Sequence, residues 1–133
     1  MFNCHEFKLK SIERNGILVS LEEDFNIPFD VRRIFYTYDV PSEECRGNHA
    51  YYKTRQVLIC ICGSVEIKCF DGINEFRYKL DNPSKDLYID PKVWRSTYNH
   101  TENCVLLDLS SHEYDEDDYI RSYDEFLEVV KCI

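Results

Sequence analysis

The chain has 133 residues and a mass of 15.9 kDa, the size of one domain long enough to bury a core without cross-links. Its formal net charge of −9 argues against a nucleic-acid polyanion as the main partner, because phosphate contacts need a Lys/Arg surface. A 44% hydrophobic fraction is ordinary for a globular protein, and no apolar run reaches the length of a membrane span.

Taken in chain order, the elements read as short strands between turn residues. Phe7–Ser11 and Ile17–Glu22 flank Asn15-Gly16, a strong hairpin signal. Arg33–Val40 is aromatic and β-branched, and alternation puts Ile34, Tyr36 and Tyr38 on one face before Pro41 ends the strand. Gln56–Cys62 is apolar on both faces and predicts a central, covered strand. Gly63-Ser64 turns it into Val65–Phe70, and Asp71-Gly72 leads on into Glu75–Leu80. Asp86–Ile89 and Cys104–Leu109 follow as strands. Over Asp118–Lys131 the period changes: Ile120, Tyr123, Leu127 and Val130 recur at steps of three and four, predicting a helix with Asp115–Asp118 at its N-terminal end. That helix needs only to pack on a sheet, and no chemistry is assigned to it. The pattern is that of an all-β antiparallel sandwich or barrel with a C-terminal α-helix, in a single domain over 1–133.

Seven cysteines at unrelated spacings make an odd set, and the opening MFNCHEFKLK carries no apolar stretch of secretion-signal length. Free, mostly buried thiols in the cytoplasm are expected. Cys60 and Cys62 share a strand face and read as small buried hydrophobes rather than a metal pair. His5, His100 and His112 have no recognisable partners in the sequence.

Two stretches carry the chemistry: Arg46-Gly47-Asn48-His49-Ala50-Tyr51-Tyr52-Lys53 with Gln56 and Gly63, and Asp90-Pro91-Lys92-Val93-Trp94-Arg95 with Asn99. Their spacing resembles the two motifs of the cupins, whose jelly-roll-like barrel binds a metal through three His and an acidic residue. Here those four positions hold His49, Tyr51, Gln56 and Arg95. One imidazole, a phenol, an amide and a guanidinium make a poor ligand set, so a pocket without a metal is expected. An imidazole can take and return protons near neutrality, while Arg46 and Arg95 can bind a diphosphate or steady an enolate-like oxygen. Proton abstraction beside a carbonyl needs such a set. Trp94, beside Arg95 in a loop, would offer a stacking platform for a base or sugar.

With Arg14–Glu22, Asn26–Phe29, Arg33–Asp39, Arg46–Ala50, Gln56–Ser64, Asp81–Lys85, Tyr88–Pro91, Cys104–Leu107 and the tail Tyr114–Leu127 added, the chain resembles the dTDP-sugar 3,4-ketoisomerases along its whole length. The resemblance implies a cytoplasmic homodimer that can exchange N-terminal strands and needs no cofactor. Its substrate would be dTDP-4-keto-6-deoxyglucose, on the way to 3-amino-3,6-dideoxy sugars of surface glycans. It implies that His49 moves a proton between sugar carbons C3 and C4 through an enediol, with Tyr51 as hydrogen-bonding partner. Substrate would be held by Arg46, Arg95, Trp94, Lys53 and inward-pointing Tyr36 or Tyr38. Where the family usually has His-Ala-His this chain has His49-Ala50-Tyr51, and Arg95 stands where His is common. Two other readings stay open: a sugar-nucleotide binder without turnover, and a 3,5-epimerase. The latter would need a His–Asp pair, for which Asp108 is not obviously placed.

Overall fold

The computed structural model describes residues 4–131. Its strands are β1 (Cys4–Lys8), β2 (Ser11–Glu13), β3 (Ile17–Val19), β4 (Arg33–Tyr38), β5 (Arg46–Tyr51), β6 (Gln56–Cys62), β7 (Val65–Phe70), β8 (Glu75–Leu80), β9 (Lys85–Ile89), β10 (Trp94–Tyr98), β11 (Val105–Ser110) and β12 (Tyr119–Ile120), followed by helix α1 (Tyr123–Lys131). One sheet runs β1-β9-β6-β11-β4 and the other β12-β5-β10-β7-β8, with β2-β3 as a separate hairpin. All of these pairings are antiparallel. The expected all-β antiparallel fold with a C-terminal helix is what forms.

The two sheets pack face to face. Toward β7, β8 and β9 the space between them is filled by Leu58, Cys60, Val65, Ile67, Leu80, Leu87, Ile89 and Leu106, the inward half of each alternating strand. Toward β4 and β5 it is polar and holds the cavity described below. No ladder joins the sheets among the described residues; side chains close the two seams instead. At one seam Arg33 Nη1 on β4 donates to the hydroxyl of Tyr119 on β12 at 3.1 Å. At the other, the Tyr78 hydroxyl on β8 donates to the carbonyl of Cys4 on β1 at 3.3 Å and lies 3.2 Å from its thiol.

Segment 19–31 lies on the outer face of the first sheet, where Leu9, Ile27 and Phe29 pack on Val57, Ile59, Tyr88 and Leu109. Asp86, also on that face by alternation, is wholly buried, and neither carboxylate oxygen has a hydrogen-bond partner. Ile34, Tyr36 and Tyr38 of β4 remain exposed. On the second sheet, Phe126 of α1 packs with Ala50, Ile120, Phe70 and Trp94.

Several elements depart from expectation. The helix starts at Tyr123, because Tyr119 and Ile120 pair with Tyr51 and Ala50 as β12. Its first turn is capped by Ser122, whose Oγ accepts from the Glu125 amide at 3.3 Å, while Asp115 caps a separate 3₁₀ turn over Glu116–Asp118. The segments carrying the two motifs are strands, β5 and β10. The Asn15-Gly16 hairpin forms between Ser11–Glu13 and Ile17–Val19, whereas Phe7 and Lys8, expected in its first arm, belong to β1 and pair with β9. The described cysteines are free thiols, and Cys132 lies outside the described residues. Cys60 and Cys62 do not share an environment: the β6–β11 pairing bulges between them, leaving Cys60 buried 3.7 Å from the Cys104 sulfur and Cys62 exposed. Gly63 fits its turn for two reasons: φ is +73°, and a Cβ there would lie 2.3 Å from Thr101 Oγ1.

Candidate active site

Strand β5 runs from an exposed Arg46 at the rim to a buried Tyr51. Its left-handed residues Gly47 and Asn48 bulge against β10, so that Arg95 pairs with His49 and Thr97 with Arg46. The extra residue turns Asn48 aside, where its Oδ1 accepts from Ser96 at 3.0 Å, and keeps Arg46, His49 and Tyr51 on the inner face. Gly47 allows close contact there: a Cβ would stand 3.0 Å from the Arg95 carbonyl oxygen.

These side chains line a cavity of about 90 Å³ together with Phe35, Thr37, Gln56, Leu58, Thr97, Leu106 and Asp108. Larger surface depressions exist, one of about 620 Å³ beside Arg32, Lys53 and His112, but they are open and do not contain this convergent network. A directed chain of hydrogen bonds crosses the cavity floor. Arg95 Nη1 donates to Gln56 Oε1, and Gln56 Nε2 donates to the Tyr51 hydroxyl at 3.2 Å and to Ser110 Oγ at 3.1 Å. Ser110 Oγ donates to Asp108 Oδ1 at 3.0 Å, and the Tyr51 hydroxyl to that of Tyr119 at 3.3 Å. Arg95 is held further by the Val93 carbonyl at 2.9 Å and stands over the Tyr51 ring at 4.9 Å, yet its buried Nε has no partner.

Electrostatics separate the titrating groups. Burial, reinforced by the Arg95 cation, pushes the His49 imidazole down to about 3, so it is neutral at physiological pH. Burial pushes the Asp108 carboxyl up to about 7, against the opposing pull of the Ser110 hydrogen bond and the charges of Arg95 and Arg33. Burial also raises the Tyr51 phenol far above its ordinary value, so it stays protonated. Two groups whose environments push them in opposite senses, base-ready His49 and acid-ready Asp108, share one cavity.

The structure brings together His49, Tyr51, Arg46 and Arg95 and separates the other expected site residues from them. Tyr36 and Tyr38 do not point inward: β4 turns Phe35 and Thr37 to the cavity and leaves both tyrosines about three-fifths exposed outside. Trp94 is no loop platform. It precedes Arg95 in a strand, so it faces the opposite side and packs edge-on against Tyr123, 5.2 Å between centroids. Lys53 lies beyond the end of β5, exposed and 3.8 Å from Asp115. Of the other histidines, His100 pairs with Thr97 at 3.0 Å and His112 with Ser111 at 2.8 Å.

Two further positions stand beside these side chains: Asp108, which the sequence reading named but did not place, and Tyr119, which it did not name. Asp108 lies on the inner face, which its alternation with Leu106 and Ser110 would have shown. Tyr119, from the tail given no chemistry, packs its ring 5.0 Å from His49 and 4.7 Å from Tyr51. As for a metal, the Gln56 amide oxygen already accepts from Arg95, whose fixed positive charge opposes a cation. Among the described residues no cluster of His, Cys, Asp or Glu could hold a metal ion.

Two antiparallel sheets enclose a cavity that combines a neutral imidazole, a raised carboxyl and two guanidinium groups, a set suited to proton transfer beside a carbonyl. The chain belongs to the FdtA family (described as WxcM-like, C-terminal), whose profile matches residues 2–131. It is 42% identical over 124 residues to the TDP-4-oxo-6-deoxy-alpha-D-glucose-3,4-oxoisomerase of Aneurinibacillus thermoaerophilus, covering 93% of this chain and 89% of that one. A crystal structure of a mutant of the 3,4-ketoisomerase QdtA from Thermoanaerobacterium thermosaccharolyticum, in complex with TDP-4-keto-6-deoxyglucose, superposes with a TM-score of 0.95 at 41% identity, over 99% of this chain and 96% of that one. The fold alone extends to the rmlC epimerase of Mycobacterium tuberculosis, with a TM-score of 0.75 at 16% identity over 87% of this chain and 66% of that one.

Proposed function

We propose that this chain is a sugar-nucleotide 3,4-ketoisomerase that moves the carbonyl of dTDP-4-keto-6-deoxyglucose from C4 to C3 through an enediol. The observation that carries the reading is a neutral His49 paired across the strands with Arg95, in a family whose similar relatives bear that activity in their names. His49 takes the C3 proton and returns it to C4. Arg95, in the cavity wall, steadies the oxygen on which charge develops, and Arg46 at the rim meets the diphosphate. Tyr51 acts by position, its hydroxyl set between Gln56 and Tyr119. The small cavity admits the reacting edge of the sugar and leaves the nucleotide outside.

The test is proton NMR of the protein with dTDP-4-keto-6-deoxyglucose in D₂O, beside His49→Asn. Deuterium entering the ring as the 3-keto isomer appears, both lost in the variant, is the expected result. Tight binding with neither event would leave a sugar-nucleotide binder.

The reading also includes a homodimer in the cytoplasm. The exposed row of Ile34, Tyr36 and Tyr38, with Ile12, Ile17 and Leu18 exposed on the hairpin, supports association of two copies. Among the described residues no helix is long and apolar enough to cross a membrane.

A further inference from the structure

The reaction moves two kinds of proton. One leaves C3 and arrives at C4; the other must reach the C4 oxygen and leave the C3 oxygen. An imidazole that has just taken the carbon-bound proton cannot also deliver the oxygen-bound one, so a second carrier is required. Tyr51 is a poor candidate, because its hydroxyl is engaged with Gln56 and Tyr119 and its phenol is held protonated by burial. The guanidinium groups do not give up protons.

We infer that Asp108 is the second proton carrier, giving its carboxyl proton to the C4 oxygen as the enediol forms and taking the C3 hydroxyl proton as it collapses. Asp108 lines the same cavity as His49, on β11. The hydrogen-bond chain orients its carboxyl. Gln56, held by Arg95, can only donate to Ser110, and Ser110 in turn donates to Oδ1. With Oδ1 accepting from Ser110, Oδ2 is the oxygen left to carry the acid proton. The charged and titratable groups around it are Arg33 on β4, His49 and Tyr51 on β5, and Arg95 on β10. The two cations pull the carboxyl down and burial pushes it up, to about 7, so both protonation states are accessible near neutrality.

The step balances without an oxidant or reductant. His49 takes the C3 proton, the C3–H electron pair becomes the C3=C4 bond, and the C4=O π pair takes the Asp108 proton. The Asp108 carboxylate then removes the proton from the C3 oxygen and C3=O forms. The C3=C4 pair takes the proton back from His49 at C4. Both side chains end as they began.

The inference rests on the ketoisomerase reading, and its test separates the two. The rate of 3-keto isomer formation is followed against pH for the wild type and for Asp108→Asn, which keeps the acceptor for Ser110 but carries no acid proton. The wild-type rate should fall as pH rises through about 7, since the acid form starts the reaction. In Asp108→Asn, kcat should drop about 10²–10³-fold with KM little changed, and the remaining rate should not fall through that range. A variant with wild-type kcat overturns the inference, and so does a slowed variant that keeps the alkaline fall, which would mark a structural role. If the variant does not fold, the wild-type profile decides: a rate level through pH 7 overturns the inference. A wild type inactive at every pH defeats the ketoisomerase reading itself.

Discussion

His49 and Arg95 are paired in register across β5 and β10, on the same inward face, so a permanent cation stands beside the imidazole. The pair depends on the Gly47–Asn48 bulge; without the extra residue, alternation would turn either Arg46 or His49 out of the cavity. Arg95 therefore does two things: it places a guanidinium in the cavity wall and adds to the burial that keeps the neighbouring base unprotonated.

Replacing Arg95 by Met tests both. The His49 pKa, followed by NMR of the imidazole protons, should rise from about 3 but stay below the ordinary 6.5, because burial is the larger cause of its depression. Isomerisation should fall at least about tenfold. The abandoned Gln56 oxygen should cost about 1–3 kcal/mol in a denaturant titration.

Asp86 sets a pH dependence of stability away from the cavity. Burial without a hydrogen-bond partner raises its carboxyl from 3.8 to about 8. A folded pKa above the unfolded one means the folded state holds the extra proton, so stability through this group declines as pH rises from about 4 to about 8. Asp86→Asn carries no such proton. Its stability relative to wild type should be near level at pH 4 and higher by a few kcal/mol at pH 9, measured by urea unfolding at both values.

Gly63→Ala should destabilise the fold by about 2–4 kcal/mol and leave no better-packed alternative. The new Cβ meets Thr101 Oγ1 at 2.3 Å, Asn103 Oδ1 at 2.6 Å and the Cys104 backbone at 2.9 Å, in a residue already at positive φ. Thermal unfolding should show the loss, while the distant His49 chemistry at low temperature should be nearly unchanged.

Ile34→Glu should weaken self-association by about 1–3 kcal/mol, read by sedimentation as a shift toward monomer with dilution. The side chain is 62% exposed in the single chain, so its change should leave the monomer's own melting almost untouched.

Much of the fold was legible because its strands alternate in the ordinary way. Val65–Phe70 and Glu75–Leu80 appear at the expected bounds, and Gln56–Cys62 is indeed the central strand of its sheet. β5 and β10 were not legible as strands: Arg-Gly-Asn-His and Arg-Ser-Thr put polar groups on the inner face, where pattern reading looks for apolar ones. For β4 the alternation was right and the face wrong. Tyr36 and Tyr38 have Phe35 and Thr37 between them, and the sequence does not say which row faces in when both are partly apolar. Tyr119 was hidden for another reason. Its spacing to Tyr123 and Leu127 fits a helix, and only the pairing of Tyr119 and Ile120 with β5 overrides that period.

The packing of Trp94 under α1 gives the molecule an optical reporter. It is the only tryptophan of the chain, its ring contacts are with Tyr123 and Phe126 of the terminal helix, and the next residue is Arg95. Intrinsic fluorescence at this one position thus follows the seating of the tail, and with it the packing of Tyr119 against His49 and Tyr51, without adding a probe or running the reaction.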